Sequence, residues 1–311
     1  MKGYKGFEPG LICRGKQYAE NTEFEEEEAE ICSCGMHFCE TPFDVLDYYG
    51  FTNDNGDFNE FAEVEALDEV KTNDNRKYCT KKLKIGAKLS ISKFINACVD
   101  FAIEKTSTCI ADNKISSGDF AQIGSSGDSA QIGSSGYSAQ IGSSGDFARI
   151  GSSGDSAKIG SSGDFAQIGS SGDFAQIGSS GNSAKIGSSG DFAQIGSSGN
   201  SAKIGSSGNF AQIGSSGNSA QIGSSGNSAQ IGSSGNSAQI GSSGKDCVIC
   251  CAGHNSVVKA KKGSWITLAE WEYSEEKERY IPKCVKTEFV DGERIKEDTL
   301  YKLIDGEFVE V

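Results

Sequence analysis

The residues able to do chemistry gather at two places in this 311-residue chain. Near the start stand Cys13-Arg14-Gly15, followed by Cys32, Cys34, His37 and Cys39. Four soft ligands within a few residues suggest zinc. The spacing works against it, because Cys-x-Cys is tighter than the usual two-residue gap. On a strand, moreover, His37 and Cys39 share a face that Cys34 does not. Buried structural thiols are the preferred reading, with Cys32, Cys34, His37 and Cys39 as the weaker metal candidate. Cys247, Cys250, Cys251 and His254 form the second group, read as packing rather than ligation. No cofactor is called for.

Glu63 and Glu65 lie two apart in Phe61-Ala-Glu-Val-Glu-Ala-Leu67, which alternates like a strand, so both carboxylates share a face. An Arg or His that orients a dinucleotide, with a Glu that polarises the ribose, is the layout of ADP-ribosyltransferase-like enzymes. Arg14, His37 and Glu65 are loosely similar to it. These three are the catalytic candidates of an alternative in which residues 1–114 form a ligand-binding or enzymatic module.

Composition narrows the classes. The formal charge is −14, and no part of the chain is basic, so no nucleic-acid footprint is expected. An acidic chain does not seek anionic lipid, and no stretch approaches 18 apolar residues, so no membrane partner is expected either. MKGYKGFEPG has no apolar core of a signal peptide. The 11 cysteines, an odd number without disulfide-scaffold spacing, suggest reduced thiols in a cytoplasm.

The element that must carry these groups is a repeat. Ile recurs from 123 to 240 in steps of nine, giving fourteen units of Gly-Ser-Ser-Gly-[Asp/Asn]-[Phe/Ser]-Ala-[Gln/Lys/Arg]-Ile, with Tyr137 the one departure at the Asp/Asn position. A fixed short period predicts a solenoid. Ala and Ile never vary and lie two apart, so they are read as the inner face. Phe/Ser and Gln/Lys/Arg vary and are read as the outer face. Gly-Ser-Ser-Gly is expected to supply the bend, its glycines taking positive φ. Two units per coil is the preferred geometry, with three left open. The period matches a calcium β-roll, but the acidic position drifts to Asn at 182, 200, 209, 218, 227 and 236, so calcium is not expected. The Thr rows of an ice-binding face are missing.

With two units per coil, Phe174, Phe192 and Phe210 fall in consecutive coils beside Gln176, Gln194 and Gln212. Such a row is either an interface or a self-stabilising ladder. Phe147 and Phe165 fall on the other side with Arg149, Lys185 and Lys203.

The predicted fold is mainly β. A central β-solenoid (β-roll or β-helix) over 115–258 follows a small α+β module over 1–114 and leads into an antiparallel β cap over 259–311. In the module, Thr41-Pro42 starts a helix, Lys82 to Leu89 is a strand, and Ser90 caps a helix with Ile91, Phe94, Ile95, Cys98 and Ala102 on one face. That helix is placed to cover the first coil's open edge. Glu25 to Glu28 is read as a solvated helix face. In the cap, Trp265 to Trp271 is a strand. Phe289-Val-Asp-Gly-Glu-Arg-Ile295 and Leu303-Ile-Asp-Gly-Glu-Phe-Val309 both signal hairpins.

Tyr4-Lys-Gly-Phe7, Cys13-Arg-Gly-x-Gln-Tyr18, Gly35-Met-His-Phe-Cys-Glu-Thr-Pro-Phe-Asp-Val45, Tyr48-Tyr49 and the closing Gly306-Glu-Phe-Val-Glu-Val311 resemble an uncharacterised family of Clostridia-type gut bacteria and their phages and prophages. That family couples such a module to nonapeptide repeats. The Gly-x-His-Phe stretch is also similar to a module of pentapeptide-repeat proteins. The resemblance implies origin and architecture but no reaction. The expected function is therefore a non-enzymatic structural or interaction protein in the bacterial cytoplasm, with virion association an alternative. Its partner is another protein or a second copy, and Phe174, Phe192 and Phe210 are the interface candidates.

Overall fold

The structure, a computed structural model, describes residues 1–31, 33–53, 55–106 and 114–311. Cys32 and the side chain of Ala102 lie outside the described residues. The N-terminal module contains β1 (Lys2–Phe7), β2 (Ile12–Cys13), β3 (Lys16–Gln17), β4 (Thr22–Glu25), β5 (Met36–Cys39), α1 (Pro42–Val45), β6 (Glu60–Ala66), β7 (Val70–Thr72), β8 (Lys77–Thr80), β9 (Lys82–Leu89) and α2 (Ile91–Thr106). Seven of the strands form an antiparallel sheet in the order β4-β9-β6-β1-β5-β8-β7. Ser90 Oγ caps α2 by accepting the Lys93 N–H at 3.2 Å, and Phe94, Ile95 and Cys98 are buried. Thr41 precedes α1 but makes no side-chain cap bond. Glu25 is not on a helix: it ends β4, opposite Lys82, whose ammonium stands 3.5 Å from Glu23 and 3.9 Å from Glu25. Cross-strand charge pairing on an exposed edge outweighs the helical reading of that acidic run.

The repeat folds into a β-solenoid of about nine turns over residues 114–268. Each coil holds two units. Strands eighteen residues apart pair in parallel and in register, as Gln176↔Gln194 and Ile177↔Ile195 do. At about 4.8 Å per coil the rod is about 43 Å long. Each strand is Gln/Lys/Arg-Ile-Gly-Ser, such as Gln176–Ser179. Ala175 and Ile177 point inward at 0% and 3% exposure. The first Ser of the tetrad points inward as well, as Ser179 and Ser188 do, because extended backbone carries the alternation two residues past Ile. The parallel ladder continues beyond Val258 through Trp265, Ile266, Thr267 and Leu268.

The corners differ from expectation in one respect. None of the repeat glycines has positive φ; the residue that does is the Phe or Ser, at φ 54–60°. The glycine is needed for a different reason. A Cβ on the second Gly of the tetrad would meet the carbonyl oxygen of the Gly one coil earlier, at 1.8 Å for Gly181 against Gly163. The Asp or Asn beside it accepts the backbone N–H of the next coil's equivalent residue. Asp173 Oδ1 takes the Asp191 N–H at 2.8 Å, and Asn200 Oδ1 takes that of Asn218 at 2.8 Å. Only an acceptor oxygen is used, which accounts for Asp and Asn exchanging freely.

The even-numbered repeats stack into one sheet and the odd-numbered repeats into the other. The module does not sit on the first coil's edge. It lies along the flank of one sheet, hereafter the covered sheet, with α2 packed across several of its strands. Among the described residues, none of the module's elements packs on the other sheet, hereafter the free sheet. At the far end the free sheet is continued by Trp265–Ser274, parallel to the last coil strand, and then by Arg279–Phe289 antiparallel to it, while the covered sheet is continued by Tyr301–Ile304 and Glu307–Glu310, both antiparallel. Val290, Ile295, Tyr301 and Leu303 plug the last coil. The Asp305-Gly306 hairpin forms with φ 50° and 74°. Asp291-Gly292 does not join two strands. The Asp291 carboxylate accepts the N–H groups of Glu293 and Ile295 at 2.8 and 3.1 Å, closing a local loop instead.

Two glycines three residues apart separate these roles. Gly181→Ala is expected to cost about 1–3 kcal/mol or more, since backbone must move to admit the methyl. Gly178→Ala on the free sheet, where an added Cβ meets nothing within 4 Å, is expected to be neutral or to gain up to about 1 kcal/mol. Thermal melts of both variants check this; equal melting would refute the stacking constraint.

Candidate functional site

A pocket of about 260 Å³ opens in the N-terminal module between β1, the β2–β3 turn, β5 and the segment after α1. Period-two alternation on β1 puts Lys5 on the side of buried Gly3 and Phe7, so a lysine is carried inward by its strand. Lys5 is 5% exposed; its Nζ donates to the His37 carbonyl at 2.7 Å and lies 5.6 Å from the Tyr18 ring centroid. Burial lowers its pKa, while the neighbouring Cys13 thiol opposes that shift. Arg14 reaches the pocket from a tight turn in which both it and Gly15 have positive φ, 51° and 73°. Lys77 comes from β8, with its ammonium 4.7 Å from the centre of the Tyr48 ring. The Tyr49 hydroxyl donates to Cys13 Sγ at 3.1 Å.

Of the sequence-predicted residues, Arg14, Cys34, His37 and Cys39 all line this pocket. Glu65 does not. It sits on β6, opposite Lys2 on one side and Lys84 on the other, and Glu63 on the same strand also lies outside the lining. The carboxylate in the pocket is Glu26, which pairs with Lys16 at 2.6 Å. Among the described residues, no group of three His, Cys, Asp or Glu is placed to hold a metal ion. The Cys39 thiol is pushed up to about 12, chiefly by burial and then by the carboxylates of Asp44 and Asp47. The sequence reading missed Lys5, Lys77, Tyr48 and Glu26. Only Lys5 carried a signal, as a charge at an apolar position of β1.

On the solenoid, Phe174, Phe192 and Phe210 form one column at the corner entering the free sheet. Their ring centroids are 5.0 Å apart and nearly parallel, yet the side chains remain 55%, 44% and 51% exposed. Phe147 and Phe165 stack at 5.1 Å on the opposite corner. The basic repeat residues of the covered sheet have a separate use, which is to hold the module. Lys185 pairs with Asp47, Lys203 Nζ donates to the Leu46 carbonyl at 3.0 Å, and Arg149 stands 3.9 Å from Asp44. Cys247 and Cys251 are buried in the solenoid interior, Cys250 is exposed, and the His254 ring lies 4.5 Å from that of Tyr280.

His37 links the pocket to pH. Burial, then the charges of Lys5, Arg14 and Lys77, lower its pKa to about 4, so the ring is neutral near neutrality. An unfolded His titrates near 6.5. Between about pH 6.5 and 4 the unfolded chain therefore takes up a proton that the folded chain does not, and stability falls through that window as pH drops. His37→Gln is expected to lose this part of the acid sensitivity. Melting temperatures of both proteins from pH 7 to 4 check it; parallel curves would contradict the buried-neutral assignment.

Residues 1–97 match the family model described as a domain of unknown function (DUF7666). The matched segment covers β1 to β9 and the start of α2, and it holds every residue that lines the pocket. No curated protein and no solved structure matches the chain.

Proposed function

We propose that the protein is a non-enzymatic structural and interaction protein of phage or prophage origin, acting in the bacterial cytoplasm, whose free solenoid sheet docks a second copy of the chain. The origin rests on the resemblance carried by the N-terminal and C-terminal motifs, and the location on the 11 cysteines, an odd number without disulfide-scaffold spacing. The interaction rests on one observation: the two sheets carry the same glycine channel, filled on one and open on the other.

On the covered sheet the module lays side chains into the channel. A Cβ at Gly187 would meet Ile95 at 3.1 Å, one at Gly205 would meet Phe51 at 2.9 Å, and one at Gly223 would meet Phe58 at 3.0 Å. On the free sheet, no described residue lies within 4 Å of an added Cβ at Gly124, Gly142, Gly160, Gly178, Gly196, Gly214 or Gly232. A ridge of exposed Gln runs beside that open channel, with the Phe174–Phe192–Phe210 column at its border. A ridge next to a groove on a flat face is self-complementary under a two-fold axis, which is the usual symmetry of a homodimer. Charge favours this occupant too. Among the repeat positions flanking the channel only Lys158 is charged, in a chain of net charge −14, so two copies meet here without the repulsion expected elsewhere.

Seven coils by one strand width give a face of about 30 by 15 Å, which is small beside the roughly 800 Å² per partner of a standard interface. The expected dimer is therefore of moderate affinity. Sedimentation equilibrium at about 50 µM should show a dimer, since weak interfaces populate at such concentrations. Gln176→Glu with Gln212→Glu should weaken it at least tenfold by opposing like charges. Phe174→Ser with Phe192→Ser and Phe210→Ser should weaken it without unfolding the rod, because Ser already stands at that position in other units. A monomeric wild type, or variants that dimerise unchanged, would overturn the proposal.

A further inference from the structure

The free sheet does not end where its repeats do. Past Gln230–Ser233 its ladder runs on through Val248–Cys251, Trp265–Ser274 and Arg279–Phe289. Along these three strands the outer face changes character. The Gln ridge becomes Val248, Trp265 and Phe289, and the glycine column becomes Cys250, Thr267 and Thr287. Ile266 and Leu268 point inward and so turn Trp265 and Thr267 outward, where the Thr267 and Thr287 hydroxyls meet at 2.8 Å. Val248, Trp265, Phe289 and the neighbouring Val285 are all exposed, and Trp265 packs on Phe289 with ring centroids 5.1 Å apart. An uncharged apolar patch at one end of an otherwise polar face marks a contact surface.

We propose that this patch anchors the dimer and sets its geometry: two rods lie side by side with their C-terminal ends together, Trp265 and Phe289 of each against the same patch of the other. The inference rests on the free sheet docking a second copy, and adds the residues and the arrangement by which it does so. A two-fold axis along the rod, between ridge and channel, brings the patch onto itself and lays each Gln ridge over the other copy's glycine channel. An axis across the rod would lay ridge on ridge. It would also set Trp265 and Phe289 over Gln140 and Gln122 of the second copy, apolar against polar. Area supports the same occupant. Ten strands about 4.8 Å apart make the whole face about 45 by 15 Å, close to the roughly 800 Å² per partner that the repeats alone do not reach. The corner carboxylates, from Asp119 to Asp191, lie toward the start of the rod and favour opposed rods. Such surface charges are screened by salt and contribute little, whereas a buried Trp carries much of an interface's affinity.

Cys250 supplies the test, because it is exposed and stands in the glycine column beside the proposed axis. With the C-terminal ends together the two Cys250 thiols face each other; with opposed rods they lie about 24 Å apart along the rod. A short bis-maleimide added to the full chain should therefore give a cross-linked dimer. Cys250→Ser should abolish the cross-link while sedimentation equilibrium still shows a dimer. Trp265→Gln with Phe289→Gln, which restores the residue of the repeats at both positions, should weaken the dimer at least tenfold with the melting temperature held. Should that variant fail to fold, Val248→Gln carries the test with a smaller loss of about threefold, since the side chain is exposed and Gln230 holds the same position one strand earlier. A monomeric wild type overturns this proposal together with the reading it rests on. A dimer that Cys250 does not cross-link, or that the folded variants leave unchanged, overturns this one alone.

Discussion

Everything in this molecule depends on how closely consecutive coils approach at the corners. The carbonyl of one corner glycine occupies the place where a side chain would begin on the glycine of the next coil. That contact allows the backbone ladder to close at every level, with N–H groups of Phe174 and Gln176 reaching Asp191 and Ala157 at 2.8 Å. It also forces a non-glycine residue into the left-handed region, which elsewhere is glycine's conformation. The strain is repeated at every corner and offset by the ladder bonds and the Asp/Asn side-chain bonds that run along the rod. The interior left between the two sheets is narrow. It admits Ala, Ile and Ser and nothing larger along the repeat, which is why Ala and Ile do not vary.

A regular rod has two equivalent sheets, and the module makes them different. Its acidic residues Asp44, Asp47 and Asp57 meet Arg149, Lys185 and Lys259, all of them on the covered sheet. Lys185 and Lys259 are nearly buried there, and burial lowers the pKa of Lys203 beside them. Buried pairs of this kind contribute little net stability once desolvation is counted, but they discriminate strongly between one docking register and the next. On a surface repeating every coil, Phe51, Phe58 and Ile95 in glycine channels would fit at several levels, and the placement of Lys and Arg among the Gln residues picks one.

The module's pocket shows the opposite balance. Tyr18, Phe7 and Phe24 pack into a well-formed aromatic core, with ring centroids 5.5 and 4.8 Å apart. Next to it stand a buried ammonium and a neutral imidazole whose charged forms the surroundings disfavour. An apolar residue in place of Lys5 would satisfy the fold at lower cost. Groups held against their solvation preference mark a place where the fold serves something other than its own stability.

The repeat by itself determined the solenoid and the inward direction of Ala and Ile, because invariance at a spacing of two has one geometric meaning on a strand; it favoured two units per coil but left three open, and the in-register pairing at eighteen residues decided it. Outside the repeat, local sequence alone also determined the Ser90 cap and the Asp305-Gly306 hairpin, which depend on neighbours in sequence. What it did not determine are features set by residues distant in the chain. The same Gln-Ile-Gly-Ser strand is solvated at Gln176 and buried at Gln167, since only one sheet is covered. The glycines of the tetrad are required by a carbonyl eighteen residues away, not by their own φ. Helix α2, the last element before the repeat, lies along the flank and not over the end, because the long apolar channel buries more of its surface than one coil's edge would. Arg14 and His37 line one pocket while Glu65 stays two strands away from His37, a result of strand order that no local spacing encodes.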